Sequence, residues 1–237
     1  MQNRIKKEYN LRTSDFDKNG NIHLSSVLDI FQDIAGIHSE ILGVSINDLL
    51  KHNKVWMILK SKFEIIKQPK MHSTVYAETW PLTPRKAFYM RDYLIMDQVG
   101  EILIKGTSQW VIVDIKSRKA LMNPEITYPL ETYCEKRSME PKFSKIGSFE
   151  SDNSILLKPS YSDVDLNGHI NNSKYANYIY NALYPNVNQI SKFQIEYHKE
   201  ILPKQEIYVF CSEETDGQYN VKGLNANNEL MFAALIN

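Results

Sequence analysis

The chain reads as an α+β protein built from two similar halves, each a long amphipathic helix packed on an antiparallel sheet. Three observations predict this. The motif Ser14-Asp15-Phe16-Asp17-Lys18-Asn19-Gly20 returns 148 residues later as Ser162-Asp163-Val164-Asp165-Leu166-Asn167-Gly168. Each copy runs directly into a helical stripe of apolar residues. After each stripe the period shortens to that of strands separated by turns. A loop and a helix face kept in register at one offset indicate a duplicated frame, which takes precedence over local propensity in setting the architecture.

The elements follow in order. Strand-like sequence begins a few residues from the N-terminus and leads into the first loop. Val27, Ile30, Phe31, Ile34 and Ala35 then fall at i, i+3, i+4, i+7 and i+8, one face of a helix. The same offset lands on Tyr175, Tyr178, Ile179, Ala182 and Leu183. Ser45 is placed to cap a short second helix over 46–50. Residues 55–66, 74–80, 87–96 and 101–113 are rich in β-branched and aromatic side chains and are separated by Pro, Arg-Lys or Gln-Val-Gly. In the second half 155–159, 190–197, 206–211, 219–223 and 230–236 read the same way. Between the halves, 117–148 carries Pro124, Pro129 and Pro141 with many charges and no sustained period. It reads as a linker laid over the surface. An amphipathic helix beside a sheet must bury its apolar face against that sheet. One helix wrapped by an antiparallel sheet, occurring twice, describes a tandem (double) hotdog, with halves at 1–120 and 151–237 joined by a linker at 121–150. Neither half then needs a partner chain, and pairing of whole chains into a homodimer stays open.

Composition narrows the function classes. The 237 residues carry 28 basic and 28 acidic side chains, so no global charge draws the chain to nucleic acid or to an anionic membrane. With 43% hydrophobic and 24% charged residues it has the balance of a soluble globular protein. No apolar run approaches the roughly 20 residues of a bilayer-spanning helix, and the N-terminus shows neither an apolar signal segment nor a plastid-type transit segment. Two cysteines, Cys134 and Cys211, are too few for a disulfide scaffold or a Cys-rich zinc site. A cytoplasmic enzyme or binding protein is expected.

The repeated loop admits two chemistries. Asp163, Asp165, Asn167 and Gly168 have the spacing that opens an EF-hand calcium loop. Position twelve of such a loop must be a bidentate Glu, but here it is Lys174, or Ser26 in the first copy. An ammonium group cannot replace the carboxylate, and the entering segment reads as a strand rather than a helix. Both copies keep the aspartates, Asn and Gly, which satisfy turn backbone groups. Only the second adds a histidine, His169, where the first has Asn21. Turn structure does not require that histidine. It lies beside two polar residues just before a helix N-terminus, whose backbone donors suit a developing oxyanion.

Asp163-Val164-Asp165-Leu166-Asn167-Gly168-His169-Ile170-Asn171-Asn172-Ser173-Lys174-Tyr175 strongly resembles the signature of the acyl-acyl carrier protein thioesterases. The stretch from Trp56 to Phe63, Glu78-Thr79-Trp80, Arg91-Asp92-Tyr93 and Thr107-Ser108-Gln109-Trp110-Val111 look like that family's N-terminal half. Glu196-Tyr197-His198-Lys199-Glu200 looks like its second C-terminal motif. The resemblance implies a double hotdog that hydrolyses the thioester joining a fatty acyl chain to acyl carrier protein, with its polar site in the C-terminal half. Carried over position by position, it implies Asp165, Asn167, His169 and Glu200 as catalytic residues. Some members have a cysteine directly after the acid, but here that position is Ile201, which cannot attack a thioester. Water is then the attacking group, held and deprotonated by Glu200 and His169, with Asn167 orienting and Asp165 fixing the geometry.

Glu200 poses a problem of alternation. Phe193, Ile195, Tyr197 and Ile201 share one strand face, and Glu196, His198 and Glu200 share the other. To reach His169, Glu200 needs a bulge or a strand end. The row Glu196, His198, Glu200 could hold a metal, but a solvated polar face explains it equally, and neither a metal nor a cofactor is assigned. For the acyl chain, Val27, Ile30, Phe31, Ile34 and Trp56 are the candidate lining, although core packing would look the same. Acidic acyl carrier protein is the expected partner, and Arg4-Ile5-Lys6-Lys7, Arg85-Lys86 and Lys116-Ser117-Arg118-Lys119 are candidate docking patches. The rival readings are an acyl-coenzyme A thioesterase and a non-catalytic acyl-binding hotdog protein.

Overall fold

The computed structural model describes residues 3–152, 154–165, 168–183, 189–213 and 217–237. They fall into two compact units, Met1–Ser14 with Asp29–Lys142, and Asp15–Leu28 with Phe143–Asn237. The division falls inside the first long helix, α1 (Leu24–Ile41), so the first copy of the repeated loop groups with the second unit.

In the first unit β1 (Ile5–Asn10), β2 (Lys54–Ile65), β3 (Thr74–Pro81), β4 (Tyr89–Met96) and β5 (Ile102–Asp114) form an antiparallel sheet in the order β1-β3-β4-β5-β2. A two-residue strand, β6 (Lys119–Ala120), pairs with the end of β5. β4 starts two residues later than its apolar run because Arg85 and Phe88 exchange backbone hydrogen bonds of 2.9 and 3.0 Å, closing a tight turn. The α1 stripe is buried as its spacing predicts: Val27 and Ile34 are fully enclosed, with Ile30, Phe31 and Ala35 beside them. Phe31 stacks on Tyr93 of β4 with centroids 4.2 Å apart and meets Phe63 of β2 edge-on at 6.2 Å. Beneath the ring is Gly106 of β5, where a Cβ would lie 2.2 Å from Phe31 Cε2. Only glycine lets the helix sit that close.

The short helix α2 (Ile46–Leu50) is capped as expected: Ser45 Oγ accepts from the Asp48 N–H at 3.3 Å, and Asp48 Oδ2 accepts from the Ser45 N–H at 3.1 Å. Further along α1 the interior turns polar. His38 is fully buried and Arg91 nearly so. Arg91 Nη1 lies 3.0 Å from His38 Nδ1 and donates to Thr79 Oγ1 at 3.3 Å, while Nη2 donates to Tyr128 Oη at 2.8 Å. A buried guanidinium is costly to desolvate, and these directed acceptors offset the cost. Tyr128 comes from the segment expected to be a surface linker. That segment does cross the outer sheet face, where Ser138 N–H donates to Asp92 Oδ2 at 2.7 Å and Trp80 Nε1 to Lys136 O at 2.8 Å. It also supplies a core residue, because Tyr128 completes a cluster with Leu42, Val44, Leu49, Tyr89 and Ile112.

In the second unit β7 (Ser154–Leu157), β8 (Lys192–Tyr197), β9 (Ile207–Glu213), β10 (Tyr219–Asn225) and β11 (Leu230–Ile236) form an antiparallel sheet in the order β8-β11-β10-β9-β7. α3 (Lys174–Leu183) buries Tyr175, Tyr178, Ile179 and Leu183, four of the residues its stripe predicts. Tyr175 meets Tyr197 of β8 at 5.3 Å and Phe232 of β11 at 5.4 Å, both edge-on. Each unit is therefore a helix laid on an antiparallel sheet, and the chain is a tandem hotdog.

Candidate active site

Among the described residues the two copies of the loop fold alike. Phe16 bridges to Ile22 and Val164 bridges to Ile170 at equivalent positions. The Asp17 N–H donates to Asn21 O at 2.9 Å, and the Asp165 N–H donates to His169 O at 2.8 Å. Gly20 and Gly168 close the turns with φ of 79° and 80°, a region open to glycine at little cost. In the first copy Asp17 Oδ1 accepts from the N–H groups of Asn19 and Asn21 at 2.8 and 2.9 Å, and Asp17 Oδ2 accepts from Tyr180 Oη at 2.9 Å. Burial works to raise the Asp17 pKa, but these donors outweigh it and hold the carboxyl below its ordinary range. Asp17 is thus explained by the turn itself. The imidazole of His169 is not.

His169 Nε2 lies 3.1 Å from Glu200 Oε2, with side-chain exposures of 35% and 56%. The alternation problem is solved at a strand end. β8 stops at Tyr197, and the N–H groups of His198 and Lys199 both point to Met231 O, at 2.9 and 3.1 Å. Two residues opposite one is a bulge, which turns the chain out of strict alternation. Ile201, fully buried, is then tied to the loop, since its carbonyl accepts the Ile170 N–H at 3.0 Å. Its own N–H donates to Tyr175 Oη at 3.1 Å.

Residues 2–130 match the acyl-ACP thioesterase N-terminal domain, and residues 147–232 match the acyl-ACP thioesterase C-terminal domain. The chain belongs to the acyl-ACP thioesterase family. The chloroplastic acyl-[acyl-carrier-protein] hydrolase FATB2 of Cuphea viscosissima is 26% identical over 222 residues, which cover 83% of this chain and 52% of the relative. The chloroplastic oleoyl-acyl carrier protein thioesterase of Coriandrum sativum is 21% identical over 236 residues, covering 89% of this chain and 63% of the relative. The chain spans about half the length of the curated relatives it matches. Among solved structures, an acyl-ACP thioesterase from Bacteroides thetaiotaomicron superposes with a TM-score of 0.90 at 22% identity, covering 99% of this chain and 97% of that one. The 12:0-ACP thioesterase from Umbellularia californica gives 0.87 at 18% identity, covering 100% and 97%. These likenesses show the same fold along the whole chain.

Within this acyl-ACP thioesterase frame the sequence-predicted residues separate into groups. His169 and Glu200 are brought together, and Asp165 sits half-buried in the same turn. Asn167 lies outside the described residues. Val27, Ile30, Phe31 and Ile34 form the buried face of α1. Trp56 belongs elsewhere: its Nε1 donates to Val44 O at 2.9 Å and its ring meets Tyr89 and Tyr128, whereas Phe31 meets Phe63 and Tyr93. The start of α3 offers fewer donors than expected. The N–H groups of Asn171, Ser173 and Lys174 are taken by Asp163 O, Asn171 Oδ1 and Asn171 O, because Asn171 caps its own turn.

Neither thiol is placed to attack. Cys211 Sγ lies 3.6 Å from Ala182 O and burial raises its pKa, while Cys134 Sγ lies 3.5 Å from Arg4 Nη2 in the first unit. His198 Nε2 is 3.9 Å from Glu196 Oε2, and among the described residues no group of three His, Cys, Asp or Glu is arranged to hold a metal ion. Sequence reasoning placed Tyr175 on the helix face and at the end of the signature run but gave it no role in the site. A hydroxyl where the first copy has Val27 was the available signal.

Proposed function

We propose that this protein hydrolyses the thioester of fatty acyl-acyl carrier protein and releases the free fatty acid by direct attack of water. The observation that carries this is the 3.1 Å pairing of His169 with Glu200 in the one loop copy that has a histidine, on a chain of this family. A carboxylate set against an imidazole can hold a water molecule and accept its proton, and both groups are open enough to solvent to admit one. Ile201, buried and aliphatic, supplies no nucleophile after the acid. Asn167 orients the water or the thioester carbonyl, and Asp165 fixes the turn that presents His169.

The acyl chain belongs with the N-terminal hotdog half, 1–120, against Val27, Ile30, Phe31 and Ile34, and with Trp56 at a second aromatic cluster. The carrier is an acidic protein drawn to local basic residues. Of the candidate patches, the first is partly neutralised, since Arg4 pairs with Glu78 at 3.4 Å and Lys7 with Asp33 at 2.7 Å. That favours Arg85-Lys86 and Lys116-Ser117-Arg118-Lys119. The acid and imidazole come from one chain, so turnover per chain is expected to be independent of protein concentration whether or not a homodimer forms. No helix among the described residues is long and apolar enough to cross a membrane, and the two free thiols fit a reducing compartment such as the cytoplasm.

The test is thiol release from matched acyl-carrier-protein and acyl-coenzyme A thioesters of several chain lengths, alongside Glu200→Ala. Loss of the Glu200 carboxylate, whether it or His169 takes the proton, is expected to lower turnover on the carrier-protein substrate by at least about a hundredfold. Faster release from coenzyme A would reassign the substrate class. No release from any thioester would leave an acyl-binding protein as the better account.

A further inference from the structure

We infer that Tyr175 is a positioning residue whose hydroxyl holds the Glu200 carboxylate against His169, an inference that rests on the catalytic pair proposed above. Glu200 lies three residues beyond the end of β8, where no ladder of hydrogen bonds fixes the backbone. What replaces the ladder is a two-point clamp on the next residue. The Ile201 carbonyl accepts the N–H of Ile170, the neighbour of His169, and the Ile201 N–H donates to Tyr175 Oη at 3.1 Å. That N–H belongs to the same planar peptide as the Glu200 carbonyl, so the hydroxyl fixes the plane from which the Glu200 side chain departs. Both ends of the clamp lie close in sequence to His169, so acid and imidazole are referred to one short stretch of chain.

The anchor is itself fixed. Tyr175 is 2% exposed, with its ring edge-on to Tyr197 and Phe232. Burial pushes its pKa up against the opposing pull of the Ile201 N–H, with the charges of Glu200 and Asp165 adding to the rise, so it is a neutral phenol oxygen that accepts the Ile201 N–H. Packing alone does not call for the hydroxyl. In the first copy the equivalent position is Val27, fully buried with no polar atom in its side chain, and that copy has Asn21 in place of the histidine. The tyrosine and the histidine are present together in the second copy and absent together from the first.

Tyr175→Phe keeps the ring and removes the clamp. The test measures kcat and KM for an acyl-carrier-protein thioester, and the His169 ring resonances by NMR at fixed pH, in the unaltered protein, in Tyr175→Phe and in Tyr178→Phe. Tyr178 is the control, because its hydroxyl on the same helix donates to Asp163 Oδ2 at 3.2 Å and leaves the 200–201 peptide alone. Displacing a catalytic group by about an ångström costs on the order of a hundredfold, so kcat is expected to fall ten- to a hundredfold in Tyr175→Phe. KM should stay within about twofold, the signature of an interaction used in the chemical step. The His169 resonances should move in Tyr175→Phe and hold in Tyr178→Phe. Unchanged kcat and unchanged resonances in a folded Tyr175→Phe would overturn the inference. Resonances that move in a protein with no thioesterase activity would support the clamp and overturn the catalytic reading instead. Amide exchange at Ile201 in the unaltered protein needs no variant: slow exchange is expected, and fast exchange would overturn the clamp.

Discussion

Replacing Gly106 by alanine tests how the first helix is seated. The new Cβ would lie 2.2 Å from Cε2 and 2.5 Å from Cζ of Phe31, and 3.3 Å from the Lys62 carbonyl. Carbon atoms prefer about 3.5–4.0 Å, so the ring must retreat by more than about 1 Å. It cannot do so freely, because it is stacked at 4.2 Å on Tyr93 and meets Phe63 edge-on. Overpacking of this kind costs about 1–3 kcal/mol, and the lower entropy of the unfolded alanine chain returns about 0.4–1 kcal/mol. At mid-range values the net loss is about 1.3 kcal/mol, which corresponds to a fall in Tm of about 3–5 °C for a chain of this size. Calorimetry on Gly106→Ala, Phe31→Leu and the double variant gives the coupling directly. The double variant should recover part of the loss, since the smaller side chain clears the Cβ. Equal stability of Gly106→Ala and the unaltered protein, or strict additivity in the cycle, would refute the seating of Phe31 on β5.

Two further predictions concern the repeated loop. Asp17→Asn should destabilise the protein at neutral pH, because the Asp17 carboxyl is held below its ordinary range by the Asn21, Tyr180 and Asn19 donors. A depressed folded pKa contributes stability above the unfolded value of about 3.9 and loses it as pH falls through the folded value. Urea titrations should therefore show the gap between variant and parent closing below about pH 4, and a gap independent of pH would remove the carboxylate from the account. His169→Asn installs the residue that the first copy carries in the same turn. Its Tm should stay close to that of the parent while thioester turnover falls by at least about a hundredfold. A large Tm loss, or retained turnover, would mean that the histidine is structural.

Some features of this site and fold could be read without coordinates because they are periodic or local. The stripe from Val27 to Ala35 needs only 3.6 residues per turn to be recognised as a buried face, and the Ser45 cap needs only the next few residues. Others depend on chain brought from afar. Arg91 lies on a strand and gives no sign in sequence that it will be enclosed by His38, Thr79 and Tyr128, each from a different segment. The segment around Pro124 and Pro129 has no period, so its contribution of Tyr128 to the core could not be anticipated. Trp56 shares β2 with Phe63, yet it packs with a different ring cluster than Phe31 does, because β2 is long enough to serve both.

The duplicated frame, the antiparallel sheets, the long helices and the loop carrying His169 were determined by the sequence alone. A repeat at a fixed offset and side-chain periodicities survive without knowledge of contacts. The meeting of His169 with Glu200 was decided by tertiary structure. Along the strand the acid alternates onto the face away from α3. It reaches the imidazole because β8 ends at Tyr197, a bulge forms against Met231, and buried Ile201 is clamped by Ile170 and Tyr175. One arm of that clamp sets the Tyr175 hydroxyl on the Ile201 N–H, and the other joins the Ile170 and Ile201 backbones some thirty residues apart. Backbone hydrogen bonds are open to almost every residue type, so no side-chain pattern records where they form.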